Sequence, residues 1–591
     1  MEQIKFIFTY IKRHKWQYIA GIVTLFAVDF LNLFIPKLTG VITDGLAGHT
    51  MDMQGVWENI VKILAIGAML ALGRFLWRYF LFGASRHIQY ELRNGMFAHL
   101  ETMSVEYYNE HKTGDLMARF INDLNAVRMA IGPAVITAFD ATVMAVMVIA
   151  QMMYYVDVGL TLLAIIPMFF IAIGELYYGR LMEKRFKEKQ EAVSSLTDQV
   201  QESISGVRVI KAFVQERAER KAFAEANELA RQKNLGVVRL QAVVMPLLDV
   251  VIGVSSLLTL LYGGYLTLTG EITVGRFVAF NQYIGMLVWP MLAAGESITM
   301  LSQGIASIKR VQEIFLEKPE ILDGDNVQKA DGIKGEIVFN HLTFLHHGHS
   351  EPTLKDLCLK VPEGTTLAII GRTGNGKTTL VNLLLHLYNI CGDMIYIDGR
   401  DINSIPLKEL RENIAYVPQD NFLFSDTLKR NIAFGVESAE SGEAELAEVE
   451  RAARAACVHD NITAFPDGYE TIVGERGVTL SGGQKQRSSI ARAILKDAPI
   501  LILDDALSAV DTDTEKQILC NLRENRKGKT TILIAHRIST IQDADMIMVL
   551  EDGEIKECGN HARLMAEGGI YREMFEKQQL EAGFSEGEDE V

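Results

Sequence analysis

A glycine-rich loop in the second half of the chain has the residue types of a phosphate-binding site. In TTLAIIGRTGNGKTTLVNLLL (residues 365–385), Gly371, Gly376, Lys377 and Thr378 fit the spacing G-x-x-x-x-G-K-S/T, between an apolar strand and a helix. Glycines let backbone N–H groups surround the phosphates, the lysine reaches the β- and γ-phosphates, and the hydroxyl ligates Mg²⁺. The helix start adds a favourable dipole for an anion. The predicted binding residues are Arg372, Thr373, Gly374, Asn375, Gly376, Lys377, Thr378 and Thr379.

Two adjacent carboxylates follow a second apolar strand. The stretch ILILDDALSAVD, residues 500–511, places Asp504 and Asp505 at the end of that strand. P-loop proteins use a strand-end aspartate to hold Mg²⁺, so Asp504 is predicted to serve the metal together with Thr378. Asp505 is the candidate for the base that activates water. A third stretch, VTLSGGQKQRSSIARAIL, places Ser481 before an arginine-rich helix and predicts a second anion-binding helix start.

Composition indicates two unlike parts. At 591 residues, the chain is too long for one hydrophobic core. A hydrophobic fraction of 49% is high for a soluble protein, and 22% charged residues is high for an entirely membrane-embedded one. The net charge of −16 argues against nucleic acid as a partner. The five cysteines form no CxxC pair, which indicates free thiols in the reducing cytosol.

The first part of the chain has six apolar stretches near the ~20 residues that cross a bilayer. They are residues 17–38, 57–81, 131–156, 159–178, 243–266 and 274–300. Lysine and arginine concentrate at the N-terminus and in segments 86–128 and 180–239, which are therefore expected to be cytoplasmic. Both termini are then cytoplasmic. The two long basic segments have helical patterns, with turns expected at Gly114 and Gly206.

Four acidic residues lie in or near the apolar spans, where an ionisable group is costly and a functional candidate. They are Asp29, Asp140, Glu175 and Asp249. Asp140 and Asp249 lie deepest and have methionines nearby in sequence, which would suit hydrophobic cations. Hydrogen bonding between helices is the alternative explanation, and the sequence does not separate the two.

The motifs of the second half occur together and in order, and the chain resembles an ABC exporter half-transporter. The family signature LSGGQ is intact at residues 480–484, and Gln419 in YVPQD, GERG at 474–477, Asp511 in SAVD and His536 in IAHR match further family motifs. In the membrane part, GDLMAR and SGVRVIKAF resemble the family's coupling segments.

The resemblance implies a multidomain membrane protein. An all-α six-helix transmembrane domain (1–317) would be followed by a linker (318–334), an α/β P-loop nucleotide-binding cassette (335–578) and an acidic tail (579–591), which the composition predicts to be disordered. In this family, two cassettes sandwich ATP between the P-loop of one and the signature of the other. The resemblance therefore assigns catalytic roles to Asp505, His536 and Gln419, with Gln419 also near the metal. ATP contacts are assigned to Ser481, Gly482, Gly483, Gln484 and Asp511.

Two positions depart from the family pattern. The residue after the metal aspartate is normally glutamate, and here it is Asp505, one methylene shorter. The aromatic residue that stacks on adenine, roughly 25 positions before the P-loop, is replaced by His346 in LTFLHHGH. These departures resemble the subunit of heterodimeric multidrug exporters of Gram-positive bacteria whose own ATP site is hydrolytically impaired. The alternative is a backbone shift that lets Asp505 catalyse, in a homodimer.

The expected function is ATP-driven export of hydrophobic or cationic compounds across the plasma membrane, with a second half-transporter as partner. A lipid or lipid-linked substrate is an alternative. A different class of function, an ATP-gated regulator or channel, would use the cassette for binding alone. The intact signature and His536 favour the exporter, and substrate-stimulated ATPase activity would separate the two classes.

Overall fold

The structure is a computed structural model that describes residues 2–324, 327, 332–436, 444–474 and 480–588. The chain divides into two compact units. The helical unit comprises Met1–Thr102 and His111–Lys318, and the α/β unit comprises Met103–Glu110 and Pro319–Val591. Part of the segment that the sequence suggests as a linker, residues 325, 326 and 328–331, lies outside the described residues.

Long helices build the first part of the chain. In chain order they are α1 (Glu2–Arg13), α2 (Lys15–Asn32), α3 (Phe34–Ala47), α4 (Met53–Leu100), α5 (Val105–Glu110), α6 (Thr113–Ala118), α7 (Leu124–Ile131), α8 (Pro133–Phe139), α9 (Ala145–Tyr155), α10 (Val158–Ser205), α11 (Val207–Ala212), α12 (Glu216–Leu258), α13 (Gly264–Leu268) and α14 (Val274–Leu316). Three π-helical turns are Arg119–Asp123, Asp140–Met144 and Thr259–Gly263. The short helix α5 belongs to the α/β unit.

Five helical stretches of the described residues are long and apolar enough to cross a membrane. They are Lys15–Ala47, Met53–Leu100, Thr113–Tyr155, Glu216–Leu268 and Val274–Leu316. The sixth predicted span, residues 159–178, falls in α10, whose apolar stretch Val158–Phe170 is shorter. A sixth span therefore stays a prediction. With 48 residues, α4 and α10 are each about 72 Å long, more than twice the ~30 Å of a hydrocarbon core.

The breaks between the helices follow local chemistry. Helix α10 ends at Ser205, and Gly206 caps it, which confirms the turn predicted there. The other predicted turn is displaced, since α6 begins at Thr113 and Gly114 lies inside its first turn. Buried hydroxyls join the helices: Tyr18 Oη donates to Ile131 O at 2.9 Å, and Tyr283 Oη donates to Leu33 O at 2.8 Å. Such bonds satisfy polar groups that lipid cannot solvate.

The α/β unit contains ten strands and ten further helices among its described residues. The strands are β1 (Ile337–Phe344), β2 (Leu354–Val361), β3 (Thr366–Ile370), β4 (Ile395–Ile397), β5 (Arg400–Asp401), β6 (Ile414–Val417), β7 (Ile500–Asp504), β8 (Thr530–Ile534), β9 (Met546–Glu551) and β10 (Glu554–Gly559). The helices are α15 (Lys377–Leu384), α16 (Leu407–Glu412), α17 (Leu428–Ala433), α18 (Leu446–Ala455), α19 (His459–Thr463), α20 (Gly482–Lys496), α21 (Thr512–Asn525), α22 (Ile538–Ile541), α23 (His561–Glu567) and α24 (Ile570–Glu588). Helix α24 enters the segment for which the composition predicts a disordered acidic tail.

Two sheets organise this unit. A four-stranded sheet has the order β2-β1-β4-β5, and a six-stranded sheet has the order β10-β9-β3-β8-β7-β6. In the larger sheet, β3, β6, β7, β8 and β9 run parallel, and β10 is antiparallel to β9. Strand β7, which lies between β8 and β6, is buried along its whole length, as the apolar run before Asp504 predicts. Because ligands of parallel sheets bind outside the carboxyl ends of the strands, the loops after β3, β7 and β8 are where a site is expected.

Candidate functional site

The P-loop runs from the end of β3 to the start of α15. Gly376 precedes the helix with φ +88°, a left-handed conformation that favours glycine. A Cβ on Gly376 would also lie 2.7 Å from Leu354 Cδ2. At the other end of the loop, a Cβ on Gly371 would lie 2.1 Å from the carbonyl oxygen of Leu550. Both ends of the loop therefore need glycine for a conformational or steric reason.

Lys377 is buried beneath the loop that precedes it. Its Nζ donates to Gly371 O at 2.7 Å and to Arg372 O at 2.8 Å. Burial lowers the pKa of this ammonium, and the carboxylates of Asp504 and Asp505 oppose that shift. The charge is therefore held close to both strand-end carboxylates.

Asp504 ends strand β7 and is 1% exposed. Its Oδ2 is buried and has no hydrogen-bond partner among the described residues. Burial raises the pKa of this carboxyl, while a hydrogen bond from the Thr378 hydroxyl and the charge of Lys377 lower it. A buried carboxylate oxygen without a partner is costly unless a cation completes it. Oxygen donors of this kind, from Asp504 and Thr378, fit Mg²⁺.

Asp505 directly follows strand β7, and hydrogen bonds to its main-chain N–H and C=O groups fix its position. Its φ is +49°, and its N–H donates to Ile534 O at 3.0 Å. Its own carbonyl accepts from Ser508 Oγ at 3.0 Å. Since the main chain is bonded on both sides of Asp505, a shift that moved the carboxylate forward would break these bonds.

One cavity of about 350 Å³ collects many of the residues predicted from separate motifs. It is lined by Thr353, Thr373, Gly374, Gly376, Lys377, Thr378, Thr379, Gln419, Asp504, Asp505, Ile534 and His536. Arg372 and Asn375 are outside this lining, and the amide of Asn375 donates instead to Leu550 O at 3.0 Å. The cavity combines a cation, two carboxylates and the P-loop backbone, as binding and hydrolysis of a nucleotide require.

His346 contacts the edge of this region. Its Nε2 lies 3.2 Å from Thr379 Oγ1, and its ring packs edge-on against Phe344 and Tyr388, at centroid distances of 4.9 and 5.1 Å. Burial lowers the pKa of this imidazole, and nearby His349 lowers it further. A neutral ring beside the P-loop helix is suited to stacking on a base.

The signature residues lie at the start of α20. Ser481 caps the helix in a capping box, because its Oγ accepts from the Gln484 N–H and the Gln484 side chain accepts from the Ser481 N–H. A Cβ on Gly483 would lie 2.8 Å from Ala509 O, so this position has a steric need for glycine, whereas one on Gly482 would make an ordinary contact at 3.6 Å. Asp511 caps α21. None of these residues belongs to the lining of the P-loop cavity. Of the GERG motif, residues 475–477 lie outside the described residues.

The segment after β8 that carries His536 is held by contacts from two helices, α24 and α21. Gln578 of α24 donates from Nε2 to His536 O at 2.7 Å and accepts at Oε1 from the Ile538 N–H at 2.8 Å. The intervening Arg537 is paired with the buried Glu515 at 3.0 Å. Sequence reasoning missed Gln578, since nothing in the local pattern of α24 indicates this contact. It also missed Thr353, a single hydroxyl residue just before β2 that lines the cavity.

The membrane acids differ in their surroundings. Asp140 lies on the π-helical turn between α8 and α9, and its Oδ2 accepts from Trp289 Nε1 at 3.3 Å. Asp249 lies on α12 and is exposed. Asp29 is buried at 6% exposure. The side chain of Glu175 is outside the described part of the chain.

Comparison with known proteins identifies the family. Residues 18–291 match the family described as ABC transporter transmembrane region, and residues 354–508 match the family described as ABC transporter. A probable multidrug resistance ABC transporter ATP-binding/permease protein of Bacillus subtilis is 41% identical over 97% of each chain. The chain belongs to the ABC exporter family. As a half-transporter of this family, it is a multi-pass membrane protein whose cassette binds ATP, and it is an ATPase coupled to transport.

Two further relatives extend the comparison. An ATP-dependent lipid A-core flippase of Syntrophus aciditrophicus is 37% identical over 83% of this chain and 80% of its own length. The structure of a bacterial Atm1-family ABC exporter with ATP bound aligns with a TM-score of 0.76 at 26% identity, over 96% of this chain and 98% of that one. The half-transporter therefore has the exporter fold, with a membrane domain of helices followed by a nucleotide-binding domain of α/β sheets.

Proposed function

We propose that this ABC half-transporter is one subunit of a heterodimeric exporter of hydrophobic or amphipathic compounds in the plasma membrane. Its own P-loop, with Asp504 and Asp505, forms the hydrolytically impaired ATP site. Its Ser481, Gly482, Gly483 and Gln484 complete the competent site on a partner subunit. Asp505 carries the proposal, because it stands in the position where the family has glutamate.

The backbone bonds of Asp505 support the impaired site. A general base must come within hydrogen-bond reach of the proton it takes. The aspartate is one methylene shorter than glutamate, and its bonds to Ile534 and Ser508 oppose the forward movement that would compensate. The second departure, His346, affects the same site, because its ring offers the adenine of ATP a smaller stacking surface than the family's usual aromatic residue.

The separation of the two ATP-binding elements supports a dimer. In this chain, Ser481 and Asp511 are not among the residues that line the P-loop cavity. Two chains facing head to tail would bring the signature of one to the P-loop of the other. Gln419 and His536 line the cavity, which supports a role for them in orienting groups around the terminal phosphate.

We assign Mg²⁺ to the oxygen donors of Thr378 and Asp504, with Gln419 close by. When bound, the ion would neutralise charge on the β- and γ-phosphates. The unpartnered Oδ2 of Asp504 is the observation that favours this assignment.

The membrane architecture is part of the same proposal. Six spans, with the sixth in α10, would leave both termini cytoplasmic. The proposed domains are the transmembrane domain (1–317), the linker (318–334), the cassette (335–578) and the acidic tail (579–591). The multidrug relative supports a drug-type substrate. The flippase relative favours a second candidate, a lipid or lipid-linked substrate.

The test is to purify the tagged chain gently from its native membranes and to identify every stoichiometric component. A second, different half-transporter in a one-to-one ratio is the expected result. A pure homodimer that hydrolyses ATP would overturn the heterodimer, and Asp505 would then be the working base. Transport assays with a hydrophobic dye and with a fluorescent lipid would separate the two substrate classes.

A further inference from the structure

Two carboxylates and an indole come together among the membrane-spanning helices. Asp29 lies on α2, Asp140 on the π-helical turn Asp140–Met144, and Trp289 on α14. Both α2 and α14 pack against that turn. The indole N–H of Trp289 donates to Asp140 at 3.3 Å, and both Asp140 and Arg74 lie within electrostatic range of Asp29. We refer to Asp29, Asp140 and Trp289 as the intramembrane site.

Asp29 is not explained by helix packing. It is 6% exposed, and its Oδ2 is buried with no hydrogen-bond partner among the described residues. By contrast, the buried hydroxyls of Tyr18 and Tyr283 each donate to a backbone carbonyl. Since an unpaired carboxylate in a membrane is costly, its presence at this position points to a ligand that completes it.

The local charges favour a cation as that ligand. Two carboxyl groups, of Asp29 and Asp140, stand near a single guanidinium, that of Arg74, so among these groups the second carboxylate gains a counter-charge only when a cation binds. In a low-dielectric environment, an uncompensated charge attracts an opposite charge far more strongly than in water. A monocation would balance the site, whereas a neutral or anionic compound would not.

Trp289 supplies an apolar surface for the same ligand. Its side chain is 52% exposed while its N–H is bound to Asp140, so part of the indole ring is accessible. A cation over an indole face is attracted by the ring quadrupole. The π-helical turn at Asp140 adds a further indication, because such turns occur frequently at functional sites. The site thus combines a buried carboxyl group, that of Asp29, with a partly exposed indole that is bonded to a second carboxyl group, that of Asp140.

We propose that the intramembrane site binds the charged group of a hydrophobic organic monocation. The assignment rests on the proposed export function and names the substrate class of that function. The sequence analysis names Asp140 and Asp249 as the candidates for cation binding. The proposed site keeps Asp140 and has Asp29 in place of Asp249. Asp249 is exposed on α12 and no bonded partner of its carboxylate is found among the described residues.

The test uses the full chain with every subunit it retains, purified from native membranes into lipid nanodiscs. Binding of tetraphenylphosphonium, a monocation, is compared with binding of triphenylphosphine oxide, its neutral relative, and empty nanodiscs are subtracted. Asp29→Asn and Asp140→Asn should each weaken binding of the cation by about 10-fold or more, as expected for loss of a contact to a charged group. Trp289→Ala should weaken binding of the cation by about 3-fold or more. Asp249→Asn is the matched control and should bind like the parental chain.

The neutral probe and a transport assay make the outcomes distinct. Binding of the neutral probe should change by less than about 2-fold in the three aspartate variants, since it lacks the charge that the carboxylates recognise. Unchanged cation binding in Asp29→Asn and Asp140→Asn, or a loss confined to Asp249→Asn, would refute the site. ATP-dependent movement of the two probes by the parental assembly tests the export function separately. If neither probe moves, the export proposal fails whatever the binding data show.

Discussion

Replacing Asp505 by asparagine should leave the ATPase rate of the purified assembly within about 2-fold of the parental rate, because a residue that contributes little as a base loses little when neutralised. Asparagine is a suitable probe, since it tolerates the left-handed conformation that Asp505 adopts at φ +49°. The folded structure should therefore survive the change. The assay is steady-state ATP hydrolysis in nanodiscs, with the melting temperature as a check on folding.

The opposite change should restore catalysis. Glutamate extends the carboxylate by about 1.5 Å, one carbon–carbon bond, from a backbone that is fixed by the bonds to Ile534 and Ser508. A displacement of ~1 Å at a reacting group can cost ~10²-fold in rate. In an assembly whose partner has its own strand-end glutamate replaced by glutamine, Asp505→Glu should therefore raise the residual turnover by ~10²-fold.

Asp504→Asn is the contrasting variant, because it removes the carboxylate assigned to Mg²⁺ and should abolish the gain produced by Asp505→Glu. The reasoning is refuted if Asp505→Asn lowers the ATPase rate by about 10-fold or more, within the range that a general base contributes. That result would mean that Asp505 already reaches the water and that the bonds around it do not limit its position.

Three further predictions concern single contacts. His346→Tyr should tighten binding of ATP at this chain's P-loop by about 2- to 10-fold, because a phenol ring offers a larger stacking surface. The measurement is binding of a photoreactive ATP analogue, and unchanged binding would contradict the prediction. Gln578→Ala should speed amide exchange in residues 536–538 by about 5- to 10-fold, since the side chain holds this segment by two hydrogen bonds, while Gln579→Ala leaves exchange as it was. Gly371→Ala should destabilise the cassette by ~1–3 kcal/mol, because its Cβ would meet a strand β9 carbonyl oxygen at 2.1 Å. Gly392→Ala, with its nearest contact at 3.7 Å, is the control in a thermal melt, and equal melting of the two would count against the steric argument.

The sequence by itself determined the features that depend on neighbouring residues. The P-loop, the apolar spans and the break at Gly206 are all local patterns of residue type, and the helices that follow from them hydrogen-bond mainly within a short segment. The family also followed from short motifs in a fixed order. Asp504 was readable for the same reason, as it directly follows the uninterrupted apolar run of β7.

Only the tertiary structure decided which distant residues meet. The strand order β3-β8-β7-β6 brings Lys377, Asp504 and His536 to one cavity, and that order is set by the packing of buried strands far apart in sequence. Gln578 reaches the segment after β8 from α24, a contact that no spacing in the chain announces. In the membrane, burial and electrostatic proximity single out Asp29, while Asp249 remains exposed. Hydropathy treats the two aspartates alike, because it measures residue type and not the face of the helix on which a side chain lies.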